Sequence, residues 1–308
     1  MALERFRRAG PVDPPPPLGF APTGDRHPYA GMRAVLATKH DKLDLVAPPL
    51  RDEVGLEVLA TQVDTDLLGT FTPERERRLP PLDAAIAKAR MGMEATGERI
   101  GLASEGSIGP DPDFPLLLSD RELVVLVDDH LGIVISASAR SYRVVAERGV
   151  FGPGDDLVDF LARASFPDHK LVVMPNRSRR RIRPIKGVGD LDELCAAIGE
   201  SSRSSRDSRA RVESDLRASA NPTRRAVIAA AAAALAKRVA GLCPSCSVPG
   251  WGEAERWTVR RCTRCSALQR RAEPVWSCVA CPAIAPVESP DQLGTLCDAC
   301  LRAELAGG

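Results

Sequence analysis

The segment Met32-Arg-Ala-Val-Leu-Ala-Thr-Lys-His-Asp-Lys42 is the clearest indication of the fold of this chain. Its first part, 32–38, is mostly apolar and predicts a buried strand. A helical pattern follows over 41–54, although Pro48 and Pro49 are expected to lie within this helix or to interrupt it. A second strand is predicted at 56–60. This succession of strand, polar turn, helix and strand is typical of α/β proteins.

Helices and strands continue to alternate along the next 140 residues or so. The Ala-rich pattern from Pro81 to Thr96 predicts a helix that ends at Gly97. The remaining predicted elements are strands at 100–103, 123–127, 132–137, 170–174 and 181–186 and helices at 155–164 and 191–198. We therefore predict an α/β domain with a mixed central sheet flanked by helices.

Eight of the nine cysteines form four Cys-x-x-Cys pairs near the C-terminus. Paired thiolates at this spacing are typical ligands of structural zinc, and eight of them suffice for two four-cysteine sites in a zinc-ribbon-like module. A disulfide framework is the alternative. Equal spacings favour joining the first pair with the second and the third with the fourth, while a crossed arrangement remains open. The predicted ligands are Cys243, Cys246, Cys262, Cys265, Cys278, Cys281, Cys297 and Cys300.

Composition divides the chain into four parts. Residues 1–29 are rich in proline and predict a disordered tail, and 30–199 form the α/β domain expected to carry any catalysis. Residues 200–241 predict a Ser/Arg-rich linker and an Ala-rich helix, which Asn221-Pro222 opens. The zinc-binding module occupies 242–308.

Charge and hydropathy narrow the classes of function. The net charge of +1 provides no global attraction for nucleic acid or membrane. No apolar run reaches the roughly 20 residues that span a bilayer, and no apolar core follows Met1–Gly10, so we expect neither membrane association nor a secretory signal. Unoxidised Cys-x-x-Cys pairs favour the cytoplasm.

Polar clusters follow the first three predicted strands. Thr38, Lys39 and Lys42 can hold a phosphate group at the start of a helix, and Ser104 adds a hydroxyl after the third strand. Carboxylates that can collect Mg²⁺ or orient water occur at Asp66, Glu74 and Glu105. Because ligands of open α/β sheets gather outside the carboxyl ends of strands, these groups are predicted to form one site.

Several motifs occur in an order that resembles a bacterial family catalogued as domain of unknown function 6671. They are Ala37 to Lys42, Asp64 to Glu74, Ala103 to Pro110, Phe166-Pro-Asp-His169, Asp215-Leu-Arg-Ala218, Asn221-Pro-Thr-Arg224 and Cys243-Pro-Ser-Cys246. This resemblance covers nearly all of the chain from Met32 and implies no established activity.

Residues 32–110 also resemble, more distantly, the inosine-triphosphate pyrophosphatase group that includes the Maf-like enzymes. The resemblance rests on Thr38 to Lys42, Gly69-Thr-Phe to Glu74, Lys88-Ala89 and Ser104-Glu-Gly-Ser107. It implies a fold like that of those enzymes and Mg²⁺-dependent hydrolysis of nucleoside triphosphates to monophosphate and pyrophosphate. Lys88 would then neutralise charge on the leaving group.

The leading hypothesis is a Mg²⁺-dependent phosphohydrolase that acts on a nucleotide or related phosphate ester and carries two structural zinc ions. The alternative is a non-enzymatic protein whose zinc ribbon binds nucleic acid or protein and whose α/β domain recognises a phosphate-bearing ligand. Arginines near the zinc ligands, with Trp251, Trp257 and Trp276, could supply a basic stacking surface for nucleic acid.

Overall fold

The computed structural model describes residues 26–38, 42–63, 79–178, 182–287 and 296–305. The strands in these ranges are β1 Arg33–Ala37, β2 Glu57–Thr61, β3 Ile100–Pro110, β4 Leu118–Asp128, β5 Ile133–Ser141, β6 Arg148–Phe151, β7 Leu171–Pro175, β8 Ile185–Val188, β9 Ala210–Ser214, β10 Gly252–Arg261, β11 Leu268–Ser277 and β12 Ile284–Pro286. The helices are α1 Leu43–Val54, α2 Pro81–Thr96, α3 Val158–Arg163, α4 Leu191–Arg203, α5 Pro222–Ala240 and α6 Asp298–Leu305.

The central sheet has five strands in the order β2-β1-β3-β4-β5. β1 pairs in parallel with both β2 and β3, whereas β3, β4 and β5 form an antiparallel meander. Side chains alternate between the two faces: Leu36 and Leu102 pack with α1 and α5, whereas Val35 and Ala103 pack with α2. Both faces of the sheet are covered at its centre, which explains why the runs 34–37, 100–103 and 123–127 are continuously apolar in the sequence.

A second sheet, in the order β6-β9-β7-β8, is antiparallel throughout. Its core combines Leu171, Val173 and Val212 with Leu194 and Ile198 of α4. The helix α5 belongs to the main core, because Ala231, Leu235 and Val239 lie fully buried against the central sheet.

The predicted mixed α/β architecture with helices around a central sheet is confirmed. Of the two alternatives for Pro48 and Pro49, the structure shows the first: α1 runs without a break through both prolines, because burial of Val46, Leu50 and Val54 compensates for the hydrogen bonds that proline cannot make. Other local predictions differ from the structure. The third strand continues well beyond residue 103, since pairing with β4 extends through its polar residues as far as Pro110.

A further difference lies in the Ser/Arg-rich part of the predicted linker, which contains regular structure. The helix α4 continues to Arg203, and β9 begins at Ala210 and pairs with β6 and β7. Buried Ala210, Val212 and Ser214 alternate with partly exposed Arg211 and Glu213, which is the period of two that is typical of a strand. The division of the chain at residues 29, 199 and 241 stays a prediction.

In the C-terminal part, β10, β11 and β12 form a three-stranded antiparallel sheet, and α6 follows. A span of the bilayer requires about 20 consecutive apolar residues. Within the described ranges, no helix meets the length and apolarity that a membrane crossing demands.

Candidate functional site

The candidate site lies where β1 ends beside β3, and this region is called the crevice below. β1 lies between β2 and β3 in the sheet. The helix α1, which connects β1 to β2, covers one face of the sheet, and α2, which precedes β3, covers the other face. Leu36 is level with Leu102 in the register, and β1 stops at Ala37 while β3 continues to Pro110. Residues 104 and 105 therefore lie just beyond the end of β1, at a position where α/β sheets commonly bind ligands.

On the face of the sheet that α1 and α5 cover, a lysine and a serine meet. The ammonium of Lys42, at the start of α1, donates a hydrogen bond to Ser104 Oγ at 2.8 Å. Burial lowers the pKa of Lys42 to about 8, while the carboxylates of Glu122 and Glu105 act in the opposite direction. This lysine remains a cation at neutral pH, and it can lose its proton in the mildly alkaline range.

On the opposite face, Lys88 of α2 forms an ion pair with Glu105. Their side chains are 14% and 6% exposed, so the pair is largely shielded from water. The two pairs, one on each face, are close enough for Lys88 and Glu105 to influence the protonation of Lys42. Thr38 stands at the end of β1, where its backbone N–H donates to the carbonyl of Thr61 at 3.2 Å.

The structure thus brings four of the predicted site residues into one neighbourhood: Lys42, Ser104, Lys88 and Glu105. Lys39, Asp66 and Glu74 lie outside the described residues, so the convergence of three carboxylates stays a prediction. In the described part of the chain, the cysteine clusters are the only groups of three or more metal-ligating side chains close enough to share an ion.

A buried ion pair beside this crevice was missed in the sequence. Arg224, in the first turn of α5, donates from Nε to Glu122 Oε1 at 2.6 Å and from Nη1 to the carbonyl of Leu216 at 2.5 Å. The side chains of Arg224 and Glu122 are 4% and 0% exposed. The carboxylate of Glu122 lies directly over Gly106, at a place that a Cβ atom would occupy. Glycine at position 106 is therefore required by this contact.

Asp120 lies two residues before Glu122 on the same face of β4. Its burial, together with the neighbouring charge of Glu122, raises the pKa of Asp120 to about 7. Asp120 Oδ1 and Glu122 Oε2 are both buried without a hydrogen-bond partner in the described part of the chain. In the sequence, Asp120 and Glu122 alternate on one face of the strand with apolar Val124 and Leu126. This pattern is the signal that could have identified Asp120 and Glu122 as buried acids.

Eight cysteines form two clusters of four in the zinc-binding module. One cluster contains Cys243, Cys246, Cys278 and Cys281, and the other contains Cys262, Cys265, Cys297 and Cys300. The Sγ atoms are 3.7 Å apart in the pair 243/281 and 3.6 Å apart in the pairs 246/278 and 265/297. A zinc ion with four Zn–S bonds of about 2.3 Å requires sulfur atoms about 3.8 Å apart. Both clusters therefore fit zinc, and their sulfur separations exclude disulfides.

The predicted joining of neighbouring Cys-x-x-Cys pairs is wrong, and the crossed arrangement is correct. The first Cys-x-x-Cys pair joins the third, and the second joins the fourth. The physical reason is the long hairpin of β10 and β11, in which Gly252 pairs with Ser277 and Arg261 pairs with Leu268. One end of this hairpin holds the first and third pairs together, and the other end carries the second.

The two clusters differ in their support from the rest of the protein. Val248 and Val279, which flank the first cluster, pack against the main core, and a bridge joins Leu242 to Pro249. Arg238 of α5 also donates to the carbonyl of Ser136 in the central sheet at 3.0 Å. The first cluster is therefore built onto the α/β body, whereas the second lies ten residue pairs away along the hairpin.

Comparison with known proteins identifies the family but not an activity. A family model described as "Domain of unknown function (DUF6671)" matches residues 88–293, about two thirds of the chain, so the chain belongs to this family. No curated protein matches the chain. A solved structure, that of protein VC0702 from Vibrio cholerae, is similar at 10% identity and a TM-score of 0.24. The match covers 36% of this chain and 61% of that chain.

Proposed function

We propose that this member of the DUF6671 family is a phosphohydrolase that acts on a nucleotide or a related phosphate ester, with two zinc ions as structural elements. The observation that carries the proposal is the Lys42–Ser104 contact, just beyond the carboxyl end of β1 and beside the neighbouring strand β3. A cation and a hydroxyl at a strand end, beside the start of α1, suit a phosphate group because the amino end of a helix also favours an anion.

In this proposal, some residues of the crevice bind the phosphate group and others take part in its hydrolysis. Lys42 and Ser104 bind phosphate oxygens, assisted by Thr38 and Lys39. Lys88 neutralises charge on the leaving group, and Glu105 orients the attacking water. The low exposure of Lys88 and Glu105 supports these roles, because electrostatic stabilisation is stronger where water is excluded.

Magnesium is part of the proposal through Asp66, Glu74 and Glu105, whose carboxylates are the hard oxygen ligands that Mg²⁺ prefers. A bound Mg²⁺ would offset the negative charge of the phosphates. Glu105, the one of the three in the described ranges, already pairs with Lys88. The magnesium component therefore depends on the two carboxylates outside those ranges. An inosine-triphosphate-pyrophosphatase-like fold and reaction is the specific form of the proposal suggested by residues 32–110.

The test is a panel of nucleoside triphosphates with Mg²⁺ and detection of pyrophosphate. Lys42→Gln is expected to lower kcat/KM about 100-fold, in line with the loss of one preorganised donor to a developing charge. The matched control is Lys237→Gln, which changes an exposed lysine of α5 and should leave the rate unchanged.

The pH profile provides a second readout of the same residue. Because Lys42 loses its proton as the pH rises through about 8, phosphate binding and rate should fall above that pH. Lys42→Arg should preserve activity further into the alkaline range. Absence of turnover across the panel, or a wild-type rate in Lys42→Gln, would refute the proposal. Absence of turnover combined with RNA affinity that falls steeply with salt would favour the nucleic-acid-binding alternative.

A further inference from the structure

A cleft lies at the start of α5, on the side of this helix away from the crevice residues. Two adjoining cavities of about 640 and 430 Å³ make up this cleft. They share Arg143, Pro222 and Thr223, and they extend between the connection that follows β5, the connection that precedes β7, and the surface of α5. Each volume lies in the range of small-molecule sites.

The polar end of the cleft contains an incompletely satisfied histidine. His169 is 5% exposed, and its Nε2 lies 3.2 Å from Thr223 Oγ1. The Thr223 backbone N–H donates to His169 Nε2 at 3.4 Å, and the Thr223 hydroxyl donates to Asn221 Oδ1 at 2.8 Å. His169 Nδ1 is buried with no hydrogen-bond partner in the described residues. A buried polar atom without a partner is uncommon, and a bound ligand would account for it.

Charge in the cleft favours an anion. The exposed guanidinium of Arg143 forms no ion pair or hydrogen bond within the described ranges, unlike Arg140, which pairs with Asp111 and Asp113. The positive end of the α5 dipole adds to this field, and the first turn of α5 carries no acidic residue. Asp168 is the acidic member of the lining, and it can accept a hydrogen bond from a hydroxyl or amino group of a ligand.

The other end of the cleft is largely apolar. Ala226, Val227 and Ala230, on two neighbouring turns of α5, line it together with Ala139 of β5. Small side chains along a helix leave a smooth surface on which a planar ring can lie, and the half-exposed ring of Tyr142 stands at the polar end.

We propose that this cleft binds a small anionic ligand with a planar ring, of the class of a nucleoside monophosphate. The phosphate lies at Arg143 and Thr223, and the ring lies along Ala226 and Ala230. This site is separate from the Lys42 crevice, because Thr223 faces the cleft while the next residue, Arg224, points to Glu122 in the central sheet. The proposal goes beyond the phosphohydrolase function and does not depend on it.

The experiment is isothermal titration calorimetry of the full chain with adenosine 5′-monophosphate, and separately with inorganic phosphate, without added divalent cation. Arg143→Glu should weaken binding of both probes about 10-fold or more, because a hydrogen bond to a charged partner is lost and a repulsive charge is added. Ala230→Phe should weaken binding of the monophosphate while leaving that of phosphate nearly unchanged. Both positions are exposed, so neither variant should impair folding.

Two controls make the result specific. Arg206→Glu makes the same charge change at an exposed arginine outside the cleft and should bind like the wild type. Lys42→Gln should also bind normally, which distinguishes the cleft from the proposed catalytic crevice. Absence of binding at millimolar monophosphate overturns the proposal, as does loss of binding in Lys42→Gln with full binding in Arg143→Glu.

Discussion

Replacing Gly106 with alanine should destabilise the protein by disturbing the buried Arg224–Glu122 pair. An added Cβ would lie 2.5 Å from Glu122 Oε2 and still closer to Oε1 and Cδ. Ordinary contacts to a Cβ begin near 3.4 Å, so the carboxylate must move by about 1 Å or more. A movement of that size removes the 2.6 Å hydrogen bond from Arg224 Nε.

The cost follows from the burial of both partners. A hydrogen bond to a charged group contributes about 1.5–3 kcal/mol, and breaking a buried ion pair outright costs about 3–5 kcal/mol. Because Arg224 keeps its bond to the carbonyl of Leu216, we expect a loss of about 2–4 kcal/mol for Gly106→Ala. Urea denaturation, followed by circular dichroism, would measure it as a shift in the midpoint.

Gly109→Ala is the matched control on the same strand. Its Cβ would meet nothing within 4 Å, so this variant should differ from the wild type by no more than about 0.5 kcal/mol. A double-mutant cycle with Glu122→Ala gives the decisive result: once the carboxylate is gone, Gly106→Ala should cost nearly nothing. Equal effects of the two glycine variants, or an additive cycle, would refute the reasoning.

Two further predictions concern protonation and metal. The pKa of Asp120 in the folded protein is raised to about 7 from 3.8, so its protonation adds stability that is full below pH 3.8 and lost as the pH rises through 7. Relative to Asp120→Asn, the wild type should therefore lose at most about 4 kcal/mol between pH 4 and pH 8 in urea denaturation, and parallel curves would contradict this. For the zinc clusters, Cys243→Ser with Cys278→Ser should leave about one zinc ion per chain by metal analysis, whereas Cys243→Ser with Cys262→Ser should leave none. Loss of both zinc ions in the first double variant, with one zinc ion kept in the second, would instead support the joining of neighbouring Cys-x-x-Cys pairs.

The sequence predicted the elements whose patterns are local. The central strands and the helix α2 follow directly from apolar periodicity, and the eight zinc ligands follow from Cys-x-x-Cys spacing. The sequence also predicted Lys42 and Ser104 at one site, because both were expected just after parallel strands. In the structure the two residues are in contact, although Ser104 lies within β3, just beyond the level at which β1 ends.

The features that the sequence did not predict depend on contacts between segments that are distant along the chain. Glu122 and Arg224 are separated by 102 residues, and no local pattern indicates that α5 returns to cover β4. The crossed arrangement of the zinc ligands also depends on a contact between distant residues. The pairing of β10 with β11 separates the second Cys-x-x-Cys pair from the first, and the sequence alone does not show this pairing. In the sequence, Gly106 is one residue of the polar motif 104–107. Its structural role depends on the Glu122 carboxylate that lies over it.

The distribution of charge in the central sheet bears on whether the crevice is a site or only a structural network. Buried ion pairs can often be replaced by apolar residues without loss of stability, so a fold rarely needs them for stability alone. In this sheet, the Lys88–Glu105 and Arg224–Glu122 pairs lie on opposite faces at nearly the same level of β3 and β4. The part of the sheet below them, from Ile100 to Ala103 and Val124 to Val127, is apolar and fully buried. These two ion pairs lie at the level where β1 ends, which is where an α/β sheet offers a ligand site, and this supports a functional role for the crevice.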